Sequence, residues 1–96
     1  MKPCTVVATF TPKESEFQAV KSFLVNAATE VLLEDGCLHY ELYEEVNGKL
    51  LFLEAWRDKK AWEVHNAAPS VAKIVAFLDG KLIEPALVQE MYRVEN

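Results

Sequence analysis

The segment from Cys37 to Trp56 limits the fold more than any other part of this chain. Leu38, Tyr40 and Leu42 alternate with His39, Glu41 and Tyr43, which is the two-residue period of a strand. Val46-Asn47-Gly48-Lys49 is a turn sequence, and Leu50-Leu51-Phe52-Leu53-Glu54-Ala55-Trp56 is a second run of strand length. The two runs therefore form a hairpin. Its second strand is apolar on both sides, because Leu51, Leu53 and Ala55 cannot share a face with Glu54 and Trp56. A sheet built on such a strand needs cover on both faces.

Two registers of that hairpin are open. A two-residue Asn47-Gly48 loop sets Glu54 and Trp56 on the face of His39 and Glu41. A three-residue loop with Gly48 at a bulge sets them beside Leu38 and Tyr40. The second is favoured because it mixes polar and apolar residues on one pocket wall.

Cys4 to Phe10 is rich in apolar and β-branched residues and reads as a buried strand. Thr11-Pro12-Lys13-Glu14 offers a helix start, with Thr11 as cap, Pro12 in the first helical position and Glu14 completing a capping box; Ser15 is the alternative cap. Phe17, Val20, Leu24, Ala27, Ala28 and Val31 follow at helical spacing, and Asp35-Gly36 stops that helix. Asp58 caps a short helix that carries Trp62 and His65 on one side. Ala68-Pro69-Ser70 starts a further helix with Val71, Ile74, Val75 and Leu78 as its apolar stripe and Gly80 at its end. After Pro85, Ala86 to Val94 reads as a closing strand.

The order strand, helix, strand, strand, helix, strand predicts a ferredoxin-like βαββαβ domain of the α+β class, with helices on one face of a four-stranded antiparallel sheet. Its 96 residues suit a single domain over 1–96. One helix layer leaves the second sheet face open and apolar, so a homodimer is expected.

Composition narrows the partners. A formal charge of −5, with ten scattered Lys and Arg, disfavours nucleic acid. No apolar run approaches the roughly 18 residues of a membrane span, and Met1-Lys2-Pro3-Cys4 does not open a secretory signal, so a cytoplasmic location is expected. Cys4 and Cys37 fit no metal or redox spacing; they read as buried free thiols, with a single bridge as the alternative. Two histidines without a cysteine pair make no metal set, there is no Ser-His-Asp arrangement, and the three isolated glycines make no phosphate loop. No metal and no cofactor is expected.

What remains is a small group of chemically useful side chains. Glu54 and Trp56 stand side by side on one strand face, roughly 6–7 Å apart, and His65 on the following helix is placed to reach back over them. A carboxylate on an apolar strand either pairs, faces solvent or titrates high, and shifted carboxylates gather in functional pockets. Trp56 also fits a plain core role, and His65 a surface one, although histidine is the side chain best suited to act as a base near neutral pH.

Gly36-Cys37-Leu38-x-Tyr40-Glu41-Leu42, then Phe52-x-Glu54-x-Trp56-x-Asp58-x-x-Ala61, then His65 and Pro69, resemble the antibiotic biosynthesis monooxygenase family of small dimeric α+β barrel proteins. The resemblance covers nearly the whole chain. It implies a cofactor-independent monooxygenase that acts with O2 on a small planar aromatic substrate such as a quinol, an anthrone or a polyphenol. Catalysis would fall to His65 as base or proton shuttle and to Glu54 as its partner; Trp56, Tyr40, Trp62 and Phe52 would bind the substrate. The same superfamily implies two alternatives, an isomerase of a small phosphorylated sugar and a non-catalytic ligand-binding dimer. Many relatives carry a second histidine where this chain has Ser70-Val71, so no proton-transfer role attaches to that position. The haem-degrading branch is disfavoured, because Val6-Val7-Ala8 and Ile74-Val75 stand where it has an asparagine and a haem-binding histidine.

Overall fold

A computed structural model describes residues 2–95. Four strands, β1 (Cys4–Phe10), β2 (Cys37–Glu44), β3 (Leu50–Trp56) and β4 (Leu87–Met91), form one sheet in the order β2-β3-β1-β4. Every neighbouring pair is antiparallel. Three helices, α1 (Phe17–Val31), α2 (Lys59–Asn66) and α3 (Pro69–Leu78), fill the two crossovers. This is the ferredoxin-like α+β arrangement that the element order predicts, with the second crossover divided between α2 and α3.

The hairpin takes the three-residue loop. Glu45 N–H donates to the Lys49 carbonyl, and Gly48 N–H donates back to Glu45, with Gly48 at φ 96°. A left-handed residue after a tight turn adds the twist that joins two antiparallel strands, and glycine takes it without a Cβ penalty. Tyr40 consequently pairs with Glu54 and Leu42 with Phe52. At the far end the register shifts between Cys37 and His39, which turns Leu38 out of the wall and leaves it exposed. Glu54 and Trp56 thus share a face with Tyr40, as the three-residue loop requires, and Leu38 does not join them.

The face that carries Glu54 is the one the helices cover. Cys4, Val6, Ala8 and Phe10 of β1 and Leu50, Phe52 and Trp56 of β3 are buried there against Val20, Leu24, Ala27 and Val31 of α1 and Ile74 and Leu78 of α3. On the other face Val7, Leu51 and Ala55 are half-buried, and Tyr43, Leu53, Leu87 and Met91 lie open.

The expected cap of the first helix fails because residues 11–13 are engaged by distant chain. Neither Thr11 nor Ser15 caps the first helix. Thr11 Oγ1 donates to Glu84 at 3.1 Å, Pro12 bridges to Leu82, and Lys13 N–H donates to the Lys81 carbonyl at 2.9 Å. Residues 11–13 are occupied by the segment ahead of β4, so a 3-10 turn (Glu14–Glu16) intervenes and α1 starts only at Phe17. On α3 the buried residues are Ser70, Ile74 and Leu78, four apart, whereas Val75 is exposed. The closing strand is also shorter than Ala86–Val94, ending at Met91.

Candidate functional site

The site forms where β2 and β3 meet the helices of the second crossover. Asp58 Oδ1 accepts from Ala61 N–H at 2.9 Å and starts α2 directly after β3. Four residues along, His65 comes back over the sheet, on the same turn-to-turn stripe as Ala61, and both are buried. Its imidazole stacks on Trp56, with ring centroids 4.4 Å apart and planes 29° apart, and meets Tyr40 edge-on at 5.6 Å.

Tyr40, Glu54, Trp62 and His65 line a cavity of about 150 Å³, closed by Phe10, Ile74, Val75, Leu78 and neighbouring apolar side chains. An apolar groove of about 400 Å³ runs along α3 and the segment before β4, and Val75, Leu78 and Ala86 belong to the walls of both. Four of the residues singled out in the sequence therefore meet at one cavity. The other two do not reach it. Trp56 and Phe52 are fully buried and form the layer beneath, Phe52 stacked on Tyr40 at 4.3 Å and Trp56 under His65. Their large apolar area is spent on packing.

Glu54 and His65 share the cavity without bonding to each other. The Trp56 indole N–H donates to Glu54 Oε1 at 3.0 Å, so the indole, and not the imidazole, holds the carboxyl. Burial pushes that carboxyl up to about 7, against the opposing pull of the Trp56 N–H and with a further push from the Glu34 charge. Near neutrality Glu54 is thus poised to give or take a proton. Burial likewise raises the Tyr40 phenol far above its ordinary value, so it stays protonated and able to donate.

The true partner of His65 is Glu34, which sequence reasoning missed. His65 Nδ1 lies 2.9 Å from Glu34 Oε1, and Ser70 Oγ donates to Glu34 Oε2 at 2.5 Å. Glu34 sits in the turn between α1 and β2, which Gly36 closes with φ 85°, and 31 positions separate it from His65. No local pattern could have joined them. Ser70 did leave a trace, as a polar residue in register with Ile74 and Leu78 on the buried side of α3.

Among the described residues no group of three or more His, Cys, Asp or Glu is arranged to hold a metal ion. Cys4 and Cys37 are free thiols, Cys4 buried and Cys37 half-buried.

Comparison with known proteins agrees with this architecture. The family model for antibiotic biosynthesis monooxygenase matches residues 3–76. Rv0793 of Mycobacterium tuberculosis, by name a candidate monooxygenase, is 31% identical over 87 residues, which is 90% of this chain and 86% of that protein. Its solved structure superposes with a TM-score of 0.91 at 28% identity, covering 98% of this chain and 97% of that one. PA3566 of Pseudomonas aeruginosa shares the fold, with a TM-score of 0.89 at 24% identity over 99% of this chain and 97% of its own. From β1 through most of α3, and so across every element that builds the cavity's polar end, the chain matches one family, and it belongs to the antibiotic biosynthesis monooxygenase family.

Proposed function

We propose that the protein is a cofactor-independent monooxygenase that oxidises a flat, electron-rich, weakly acidic aromatic molecule, such as a quinol, an anthrone or a related polyphenol, with O2. The observation that carries this is the cavity itself: a small apolar space in which a histidine, a carboxyl raised to about 7 and a protonated phenol converge. The lining contains no lysine or arginine to hold a phosphate, which weighs against a phosphorylated sugar as substrate. Cavity and groove together fall within the range of about 300–1,000 Å³ of small-molecule pockets, enough for a planar ring system with its acidic end innermost.

In this scheme His65 takes a proton from the substrate, and the resulting anion supplies electrons to O2. A carbon–oxygen bond forms, the peroxide recovers the proton from His65, and loss of water leaves the carbonyl product. The substrate gives up two hydrogens, one oxygen atom is retained, and the other leaves as water. In its protonated form, which prevails below about pH 7, Glu54 joins the Tyr40 hydroxyl in donating hydrogen bonds to the developing oxyanion. Trp62 serves as the cavity-side aromatic wall, while Trp56 holds Glu54 and underlies the imidazole.

The protein acts as a homodimer in this scheme. Support comes from the open sheet face, where Tyr43, Leu53, Leu87 and Met91 are 50%, 37%, 55% and 39% exposed around half-buried Val7, Leu51 and Ala55. Such a patch on a small domain calls for cover. The test of function is oxygen uptake with a panel of quinols and anthrones. Consumption of one O2 per substrate, with one oxygen atom entering the product, is the expected result; no turnover across the panel would count against the proposal.

A further inference from the structure

His65 stands between two concavities. On one side it lines the inner cavity with Tyr40 and Glu54. On the other it reaches an outer cleft lined by Glu34, Asp35, Arg57 and Lys60. Its two ring nitrogens are correspondingly unlike. Nδ1 meets Glu34 at 2.9 Å, whereas Nε2 has no protein partner among the described residues. The carboxylate is itself restrained at both oxygens, by His65 and by the buried Ser70 hydroxyl. The ring can neither tilt nor flip freely, because the indole of Trp56 lies stacked against it.

We propose that Glu34, held by Ser70, is the positioning residue of this site: it fixes His65 as the Nδ1–H tautomer and so presents Nε2 to the cavity as the bare nitrogen. A carboxylate accepts hydrogen bonds and donates none, so a close contact with Nδ1 requires the proton there. When Nε2 takes the substrate proton, the imidazolium forms beside a carboxylate already in place, and no reorganisation is needed at that moment. The proton then returns from Nε2 to the peroxide, and the Nδ1–H bond to Glu34 is kept throughout. Ser70, on the buried side of α3, steadies that carboxylate.

This inference rests on the cavity's being the reaction site, but its test does not. A purely structural tether between the α1–β2 turn and α2 would support the fold without setting the tautomer. Long-range 1H–15N correlation spectra of 15N-histidine-labelled protein at pH 8.5 distinguish protonated from bare ring nitrogens, with His65→Ala used to assign the signals. The wild type should show His65 with Nδ1 protonated. Glu34→Gln, whose amide can donate to Nδ1, should invert or mix the tautomers and lower kcat at least about tenfold with KM nearly unchanged. Ser70→Ala keeps the pair but frees the carboxylate; it should mix the tautomers partially and lower kcat a few-fold, and it carries the test if Glu34→Gln does not fold. A wild-type Nε2–H tautomer, or variants that retain the wild-type tautomer, would overturn the assignment. Absence of turnover in the wild type would instead overturn the oxygenase scheme, with the spectra still deciding the role of Glu34.

Discussion

Glu54→Gln offers a direct measure of how strongly the fold works against a charge in the cavity. Glu54 is 5% exposed, and its carboxyl rises from the ordinary 4.5 to about 7 in the folded protein. An acid whose folded value lies above its unfolded one binds its proton more tightly in the native state. Its contribution to stability is therefore fully present below about pH 4.5 and is lost as the pH rises through about 7. The gap between the two values, at about 1.4 kcal/mol per pH unit, amounts to about 3 kcal/mol. Glutamine keeps the shape and can still accept from the Trp56 N–H, but it never ionises. Urea denaturation of both proteins from pH 4.5 to 8.5, at matched protein concentration, isolates the effect as a difference. The variant should gain on the wild type by about 3 kcal/mol across that range, with most of the gain complete by pH 7. A difference that stays flat with pH, or one that moves in favour of the wild type, would refute burial as the source of the shift.

Three further expectations follow from the same geometry. His65→Ala should lower turnover about 10²–10⁴-fold, the range for loss of a general base, in a protein that still folds; equal turnover would remove His65 from the mechanism. Light scattering at micromolar concentration should give a dimer for the wild type, and Leu53→Arg should dissociate or unfold it; a monomeric wild type would refute the sheet-to-sheet dimer. Gly36→Ala should cost about 1–3 kcal/mol in chemical denaturation, because residue 36 sits at φ 85° and its new Cβ would lie 2.5 Å from the Cβ of Ala61; an unchanged midpoint would show that the turn yields easily.

What the sequence determined by itself is the set of features whose cause is local. Strand β1 falls at Cys4–Phe10 as its composition predicts, and Asp58 caps α2 just where a short acidic side chain precedes a helical run. Pro69 opens α3 because a first helical residue has no use for its missing N–H. Gly48 sets the hairpin register, and with it the pairing of Tyr40 with Glu54. The helical run after Asp58 put Trp62 and His65 on one side of α2 while leaving a surface role open for His65, and the packed structure is what brings both to one wall with Tyr40 and Glu54. Tertiary structure alone decided who holds whom. Thr11 was free to cap a helix until residues 81–84 took its hydrogen bonds. Trp56 was available to a ligand until His65 and Tyr40 packed against it, and Glu54 to His65 until the indole N–H bonded its carboxyl. Glu34 came to His65 across 31 residues, through the path of the turn after α1 rather than through any spacing. The reason is physical. A side chain's face follows from backbone geometry over a few residues, whereas its partner is chosen by competition among all groups brought within hydrogen-bonding reach once the core has packed, and that competition has no period to read.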